Sequence, residues 1–284
     1  MSVKETDFST ASYTIKNSMI AIKHERFHAQ LSEFGGQLLS FETQANPKWF
    51  WLSNSAKLDG SKAIRGGVPI CWPWFGPSQD KNKPQHGYAR LAKWTMTTFQ
   101  AQQNKVVVTL EPILDENMCA LPVRLTQTIT FSLGIEIKLT TKNVSNSDYE
   151  LTQAIHTYFH VQDISKTSLV GLDKYGSNDH AELRIDGHID KIFTYPSEPQ
   201  RFKQNKHIEL PALSLKTPNG QLEISGSGHD SVVVWNPWQD LAQKMPDFDD
   251  EGYRQMLCVE MANTKPVILA PEQTCSLAQA IIMK

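Results

Sequence analysis

Period-two alternation of apolar and polar residues is the feature that most restricts how this chain can fold. In Ile135-Glu-Ile-Lys-Leu-Thr-Thr, the residues Ile135, Ile137 and Leu139 point one way while Glu136, Lys138 and Thr140 point the other. The stretch Arg124-Leu-Thr-Gln-Thr-Ile-Thr-Phe does the same, with Leu125, Ile129 and Phe131 inward, threonines outward and Gln127 as the polar exception. Successive side chains of a strand face opposite sides, so this repeat predicts half-buried strands, and β-branched and aromatic enrichment supports it. Similar segments recur at 18–23, 27–31, 36–43, 93–99, 105–111, 149–161, 221–225, 231–235, 256–262 and 275–283. Turn residues separate them, including Phe34-Gly-Gly and the Asn-Gly hairpin signal in Pro218-Asn-Gly. Helical spacing is confined to short stretches near 240–245 and 251–256. The expectation is an all-β fold: a single large antiparallel β-sandwich of two packed sheets, with few short helices and one domain over 1–284.

Charge and cysteine usage narrow the partners. Lys plus Arg number 28 against 30 Asp plus Glu, a formal charge of −2. No basic field exists to hold nucleic acid or an anionic membrane, so an anion must be gripped locally. Cys71, Cys119, Cys258 and Cys275 form no CxxC pair, neither a disulfide framework nor a structural zinc signature. The N-terminus carries Lys4, Glu5 and Asp7 without an apolar signal region, and no run approaches the roughly 18 apolar residues of a membrane span. The chain reads as a cytoplasmic protein with reduced thiols, no nucleic-acid or membrane partner and, lacking a spare apolar stripe, a monomer.

Between 52 and 93 the alternation collapses into glycines, prolines, tryptophans and charged residues. So long an irregular segment inside a compact domain is usually functional. Arg65 and Arg90 flank it in glycine company. An arginine fork suits bidentate recognition of phosphate or carboxylate, although composition alone favours two surface salt bridges. Trp72 and Trp235, like Trp74 and Trp238, could stack on the apolar face of a sugar, or could be core aromatics stiffening Pro-flanked turns.

The segment 149–161 has two distinct faces. Leu151, Gln153, Ile155, Thr157, Phe159 and Val161 share one, whereas Glu150, Thr152, Ala154, His156, Tyr158 and His160 share the other. Near the C-terminus Leu257, Val259 and Met261 alternate with Cys258 and Glu260 in the same way. If both outer faces line one concavity, His156 and Glu260 confront each other as an acid–base pair suited to neutral pH. His156 and His160 are four apart, a metal-ligand spacing on a helix, but a strand separates them by roughly 13 Å, too far for one ion. No GxSxG elbow, Walker A loop or GxGxxG is present, which withdraws support from hydrolase, NTPase and dinucleotide readings.

Taken together, Arg65-Gly-Gly-Val-Pro-Ile-Cys-Trp-Pro-Trp-Phe-Gly-Pro, His86-Gly-Tyr-Ala-Arg90, His156-Thr-Tyr-Phe, Asp190-Lys-Ile-Phe, Val234-Trp-Asn-Pro-Trp and Cys258-Val-Glu260 resemble the aldose 1-epimerase (galactose mutarotase-like) superfamily, most closely its hexose-6-phosphate branch. The resemblance implies a mutarotase-like supersandwich and interconversion of the α and β anomers of a hexose 6-phosphate, glucose 6-phosphate foremost. It implies His156 as general acid, Glu260 as general base, Arg65 and Arg90 on the phosphate, and His86 and Asp190 on the sugar. No metal and no cofactor are expected, and the partner is a small sugar phosphate. Two other readings stay open: a non-catalytic carbohydrate-binding β-sandwich, and a mutarotase for unphosphorylated aldoses.

Overall fold

The computed structural model of the chain describes residues 4–8, 11–175, 181–195 and 211–284. Each alternating segment named above lies mostly in strand, and the described strands form three sheets. A five-stranded meander joins Lys4–Phe8, Ala11–Lys16, Met19–His24, Phe27–Ser32 and Gln37–Thr43 in sequence order. A nine-stranded sheet has the order Glu182–Arg184, Ser168–Val170, Leu213–Thr217, Gly220–Ser227, Thr274–Met283, Gly134–Asn143, Val123–Phe131, Lys105–Pro112 and Trp94–Gln102. A six-stranded sheet runs Ile189–Thr194, Ser231–Asn236, Met256–Leu269, Tyr149–Ile155 and Ile70–Cys71, with Tyr158–His160 also paired to Met256–Leu269. All ladders among the described strands are antiparallel.

The expected sandwich is there, but one of its two layers is split. On the nine-stranded sheet, register places Ile135 between Phe131 and Ile281, and Ile137 between Ile129 and Gln279, all on one face. The five-stranded sheet covers part of that face through Phe27 and Phe41, whose rings lie 6.0 and 5.8 Å from Phe131. The six-stranded sheet covers another part, where the Gln279 amide donates to the Val259 carbonyl at 3.0 Å and Thr157 bonds Gln279. The strict burial alternation of Val123–Phe131 follows from having one face against these layers and one in water. A connected set of buried apolar side chains extends from Ala11 to Ile281. Gln127, the polar exception, also points inward, is fully buried, and has neither amide atom hydrogen-bonded.

Helices are as few as expected: Glu116–Cys119 and Trp238–Ala242 are the α-helices among the described residues, and Gly252–Gln255 is a 3-10 turn. None is long and apolar enough to cross a membrane. Between Thr43 and Trp94 the only strand is Ile70–Cys71, and isolated bridges pin the rest: Leu38 to Val68, Leu52 to Gly66, Trp72 to Gly87. Glycine is required at two of these pins. Gly67 has φ +61° and a Cβ there would collide with the Leu38 carbonyl; Gly87 has φ +73° and would collide with that of Trp72. The irregular segment is therefore held against the sheet by close backbone approach rather than by ladders.

Candidate active site

The segment 149–161 is not one continuous strand. Tyr149–Ile155 pairs with Met256–Leu269 as far as Ile155 opposite Met261, and pairing resumes at Tyr158 opposite Cys258. Between them the His156 N–H donates to the Pro69 carbonyl at 3.0 Å, while the Val259 N–H donates to the Thr157 carbonyl at 3.2 Å. The faces nonetheless persist across the break. Leu151, Gln153, Ile155, Thr157, Phe159 and Val161 are all buried, and His156 and Tyr158 stand on the opposite side.

That side holds the acid–base candidates. His156 Nδ1 lies 3.3 Å from Glu260 Oε1, and the side chains are 12 % and 2 % exposed. The approach has ion-pair distance without hydrogen-bond alignment, so His156 Nδ1 and Glu260 Oε2 are buried polar atoms lacking hydrogen-bond partners. Two reactive groups with unused lone pairs in one place are the arrangement a polar ligand would complete. Burial pushes the Glu260 carboxyl well above its ordinary range; the Asp190 charge adds to this and Arg90 opposes it. Burial likewise pushes His156 well below, helped by His86, Arg90 and Arg65. Both shifts favour the neutral pair. The charged pair differs from it only by one proton moved between adjacent side chains, so the two groups titrate as a unit.

Aromatic rings frame the pair. Tyr158 stacks on His156 with centroids 4.8 Å apart and planes 6° apart. Trp235 meets His156 edge-on at 6.4 Å and Tyr158 at 6.0 Å. His86 meets His156 edge-on at 6.1 Å. His86 has φ +63°, uncommon for a residue with a Cβ, and its Nδ1 accepts the Gly76 N–H at 3.1 Å. Burial, together with Arg90 and Arg65, pushes His86 down to about 3, which keeps it neutral and able to accept that bond.

The arginines differ in how they are held. Arg65 donates from Nε to Asp247 Oδ2 at 3.2 Å, from Nη2 to Asp247 Oδ1 at 3.4 Å, and from Nη1 to the Tyr158 hydroxyl at 3.1 Å. Arg90 donates from Nη2 to the Gln85 carbonyl at 2.8 Å, and its buried Nε has no partner. Asp190 stands opposite Trp235 in the ladder between Ile189–Thr194 and Ser231–Asn236, exposed at the rim. Rim groups thus reach solvent while Glu260 lies on a buried floor.

Trp72 is not brought to this site. It is fully buried in the core, and its indole N–H donates to Thr141 Oγ1 at 2.9 Å, leaving no ring face for a ligand. Sequence reasoning also missed two participants. Tyr158 was visible on the polar face of its strand, but nothing local tied its hydroxyl to Arg65. Asp247 lies in the irregular Pro246-Asp-Phe-Asp run, where no period marks it. Cys258 adds a third donor: its sulfur, a His156 nitrogen and a Glu260 oxygen lie within 4.8 Å of one another. Burial drives the thiol, like the Glu260 carboxyl, toward its protonated form, which is a poor metal ligand.

Comparison with known proteins bears on the family and the fold. Residues 18–281 match the family described as aldose 1-epimerase. A protein of Escherichia coli strain K12, provisionally named glucose-6-phosphate 1-epimerase, is 31% identical over 265 residues, covering 93% of this chain and 89% of its own. A protein of Cenchrus ciliaris with the same provisional name is 31% identical over 259 residues, covering 86% and 77%. A solved structure from Salmonella typhimurium, provisionally described as a mutarotase, superposes with a TM-score of 0.85 at 26% identity, covering 99% of this chain and 96% of that one.

Proposed function

This chain belongs to the aldose 1-epimerase family and is an isomerase of the mutarotase type, and from that premise we propose that its substrate is a hexose 6-phosphate, glucose 6-phosphate foremost. One observation carries the mechanism: a histidine and a glutamate remote in sequence meet at 3.3 Å on a buried floor, beneath a rim bearing two arginines. The names of the relatives support the phosphorylated substrate.

Mutarotation requires loss of the O1 proton and gain of a proton at the ring oxygen. Both oxygens are bonded to C1, so an acid and a base side by side can serve them together. Glu260 as carboxylate takes the O1 proton; His156 as imidazolium gives one to the ring oxygen, and the C1–ring oxygen bond breaks to an aldehyde. Rotation about C1–C2 presents the other carbonyl face, and closure reverses both transfers. No electron changes carrier in either direction, so proton relays suffice. Burial raises Glu260 toward the working pH, which strengthens it as a base at the expense of the fraction ionised. Arg65 and Arg90 engage the phosphate at a distance from C1 and contribute positioning. His86, Asp190 and Trp235 contact the sugar. The connected core supports treating 1–284 as one domain.

A second reading, a mutarotase for unphosphorylated aldoses, draws on the engagement of Arg65 with Asp247. Three of the five N–H donors of Arg65 are used within the protein, which leaves two for phosphate. Saturation-transfer NMR on glucose 6-phosphate and on glucose decides between the readings. The proposal expects rapid α/β exchange of the phosphate ester at micromolar enzyme, and its loss in His156→Ala. Faster catalysed exchange of free glucose than of the ester would support the second reading instead.

A further inference from the structure

Tyr158 takes part in neither proton transfer, yet it touches both ends of the site. Its hydroxyl accepts the Arg65 Nη1–H at 3.1 Å, and its ring lies flat on His156. Trp51 also stacks against the ring, at 6.0 Å with planes 23° apart, and packs at 4.6 Å on Phe248, the neighbour of Asp247. The Trp51 N–H also donates to the Tyr158 carbonyl at 2.9 Å. We propose that Tyr158 is a positioning residue that couples the phosphate end of the site to the acid, orienting Arg65 through its hydroxyl and His156 through its ring.

This inference rests on the reading of Arg65 as a phosphate ligand. The phenol suits the task because it is 2 % exposed and burial pushes its ionisation up, so it stays neutral and accepts a bond from a cation. Stacked flat on the imidazole and packed against Trp51, the ring cannot turn without disturbing His156. A dianion that fixes Arg65 therefore also fixes the plane against which the acid rests. The ring shields His156 from water as well. The other groups that bear on the acid are Glu260 and Cys258 from Met256–Leu269, His86 and Arg90 from the irregular segment, and Arg65, with Asp190 acting on Glu260 from Ile189–Thr194.

The test separates hydroxyl from ring. Tyr158→Phe keeps the stack and removes the acceptor: KM for glucose 6-phosphate should rise about tenfold with kcat changed less than about twofold, and free glucose should behave as in wild type. Tyr158→Leu removes the stack: kcat should fall for both sugars, and the limb of the pH profile set by His156 should move up toward 6.5 as water reaches the imidazole. Adding Tyr158→Phe to Arg65→Ala should cost no further KM, because the partner of the hydroxyl is already gone. Additive effects, or equal losses on both sugars in Tyr158→Phe, overturn the coupling, and this cycle decides even if Tyr158→Leu does not fold. If Arg65→Ala alone leaves the KM ratio of the two sugars unchanged, the phosphate reading fails. The Tyr158→Leu limb on free glucose then still judges the hold on His156.

Discussion

Replacing Glu260 by Gln separates the electrostatic cost of the site from its chemistry. The carboxyl is 1 % exposed, Oε2 has no hydrogen-bond partner, and burial raises its ionisation well above the ordinary 4.5. A group whose folded value lies above its unfolded one leaves stability intact below 4.5 and withdraws it as pH rises toward the folded value. From 4.5 to pH 7, one such proton amounts to at most about 3 kcal/mol. Glutamine has no proton to lose, so the stability of the variant relative to wild type should increase with pH over that range, by at most about 1.4 kcal/mol per unit. His156 titrates as a unit with Glu260, so the difference reports the proton shared by the pair. The buried amide of the variant offsets the gain by about 1–3 kcal/mol, since its NH2 enters a pocket with few acceptors, so the slope is the diagnostic quantity. Urea midpoints at pH 5, 6 and 7, with unchanged m values, measure it. Anomer exchange by the same variant should drop at least about 100-fold. A stability difference that stays flat with pH would refute the burial argument, and wild-type exchange would remove Glu260 as the base.

Arg65→Ala and Arg90→Ala should each raise KM for glucose 6-phosphate about 10–100-fold while changing free glucose only a few-fold, as kinetics by NMR exchange would show. Because Arg65→Ala strips Asp247 of its partner, adding Asp247→Asn should recover part of that loss; no recovery would mean the carboxylate does not face the phosphate. Ordinary ionisation of a glutamate base and a histidine acid predicts a narrow bell in kcat between 4.5 and 6.5. With Glu260 raised and His156 lowered, the pair holds one proton over a wider span, so the rate should plateau beyond both limits, and a narrow bell between them speaks against the shifts. Trp72→Phe should lower stability by about 1–3 kcal/mol, by orphaning Thr141 Oγ1 and leaving a void, with KM unchanged; a KM effect would return Trp72 to the binding site.

Much of this protein was legible from its residues because strands announce themselves locally. Period two names both the element and the side it buries, so 124–131 and 135–141 needed no tertiary information. Some strands escaped notice because they have three residues, too few for a repeat to register, as in Ser168–Val170 and Glu182–Arg184; Ala11–Lys16, Ile189–Thr194 and Leu213–Thr217 escaped although they are longer. The break at His156–Thr157 also escaped, since it is made by the Pro69 and Val259 backbones rather than by any breaker residue in the segment. Trp72 shows the converse limit: flanking prolines and aromatic chemistry suit a sugar platform and a core residue alike, and only the position of Thr141 distinguishes them.

Local composition determined the elements, their faces, and the residue types capable of acid–base and anion chemistry. Proximity was decided by the tertiary structure alone. Glu260 meets His156 because Met256–Leu269 lies antiparallel beside Tyr149–Ile155, and Asp247 reaches Arg65 across 182 residues of chain. Ionisation belongs to the same class: a carboxyl and an imidazole are ordinary groups in the sequence. Their displacement toward neutrality arises when folding removes water from around both.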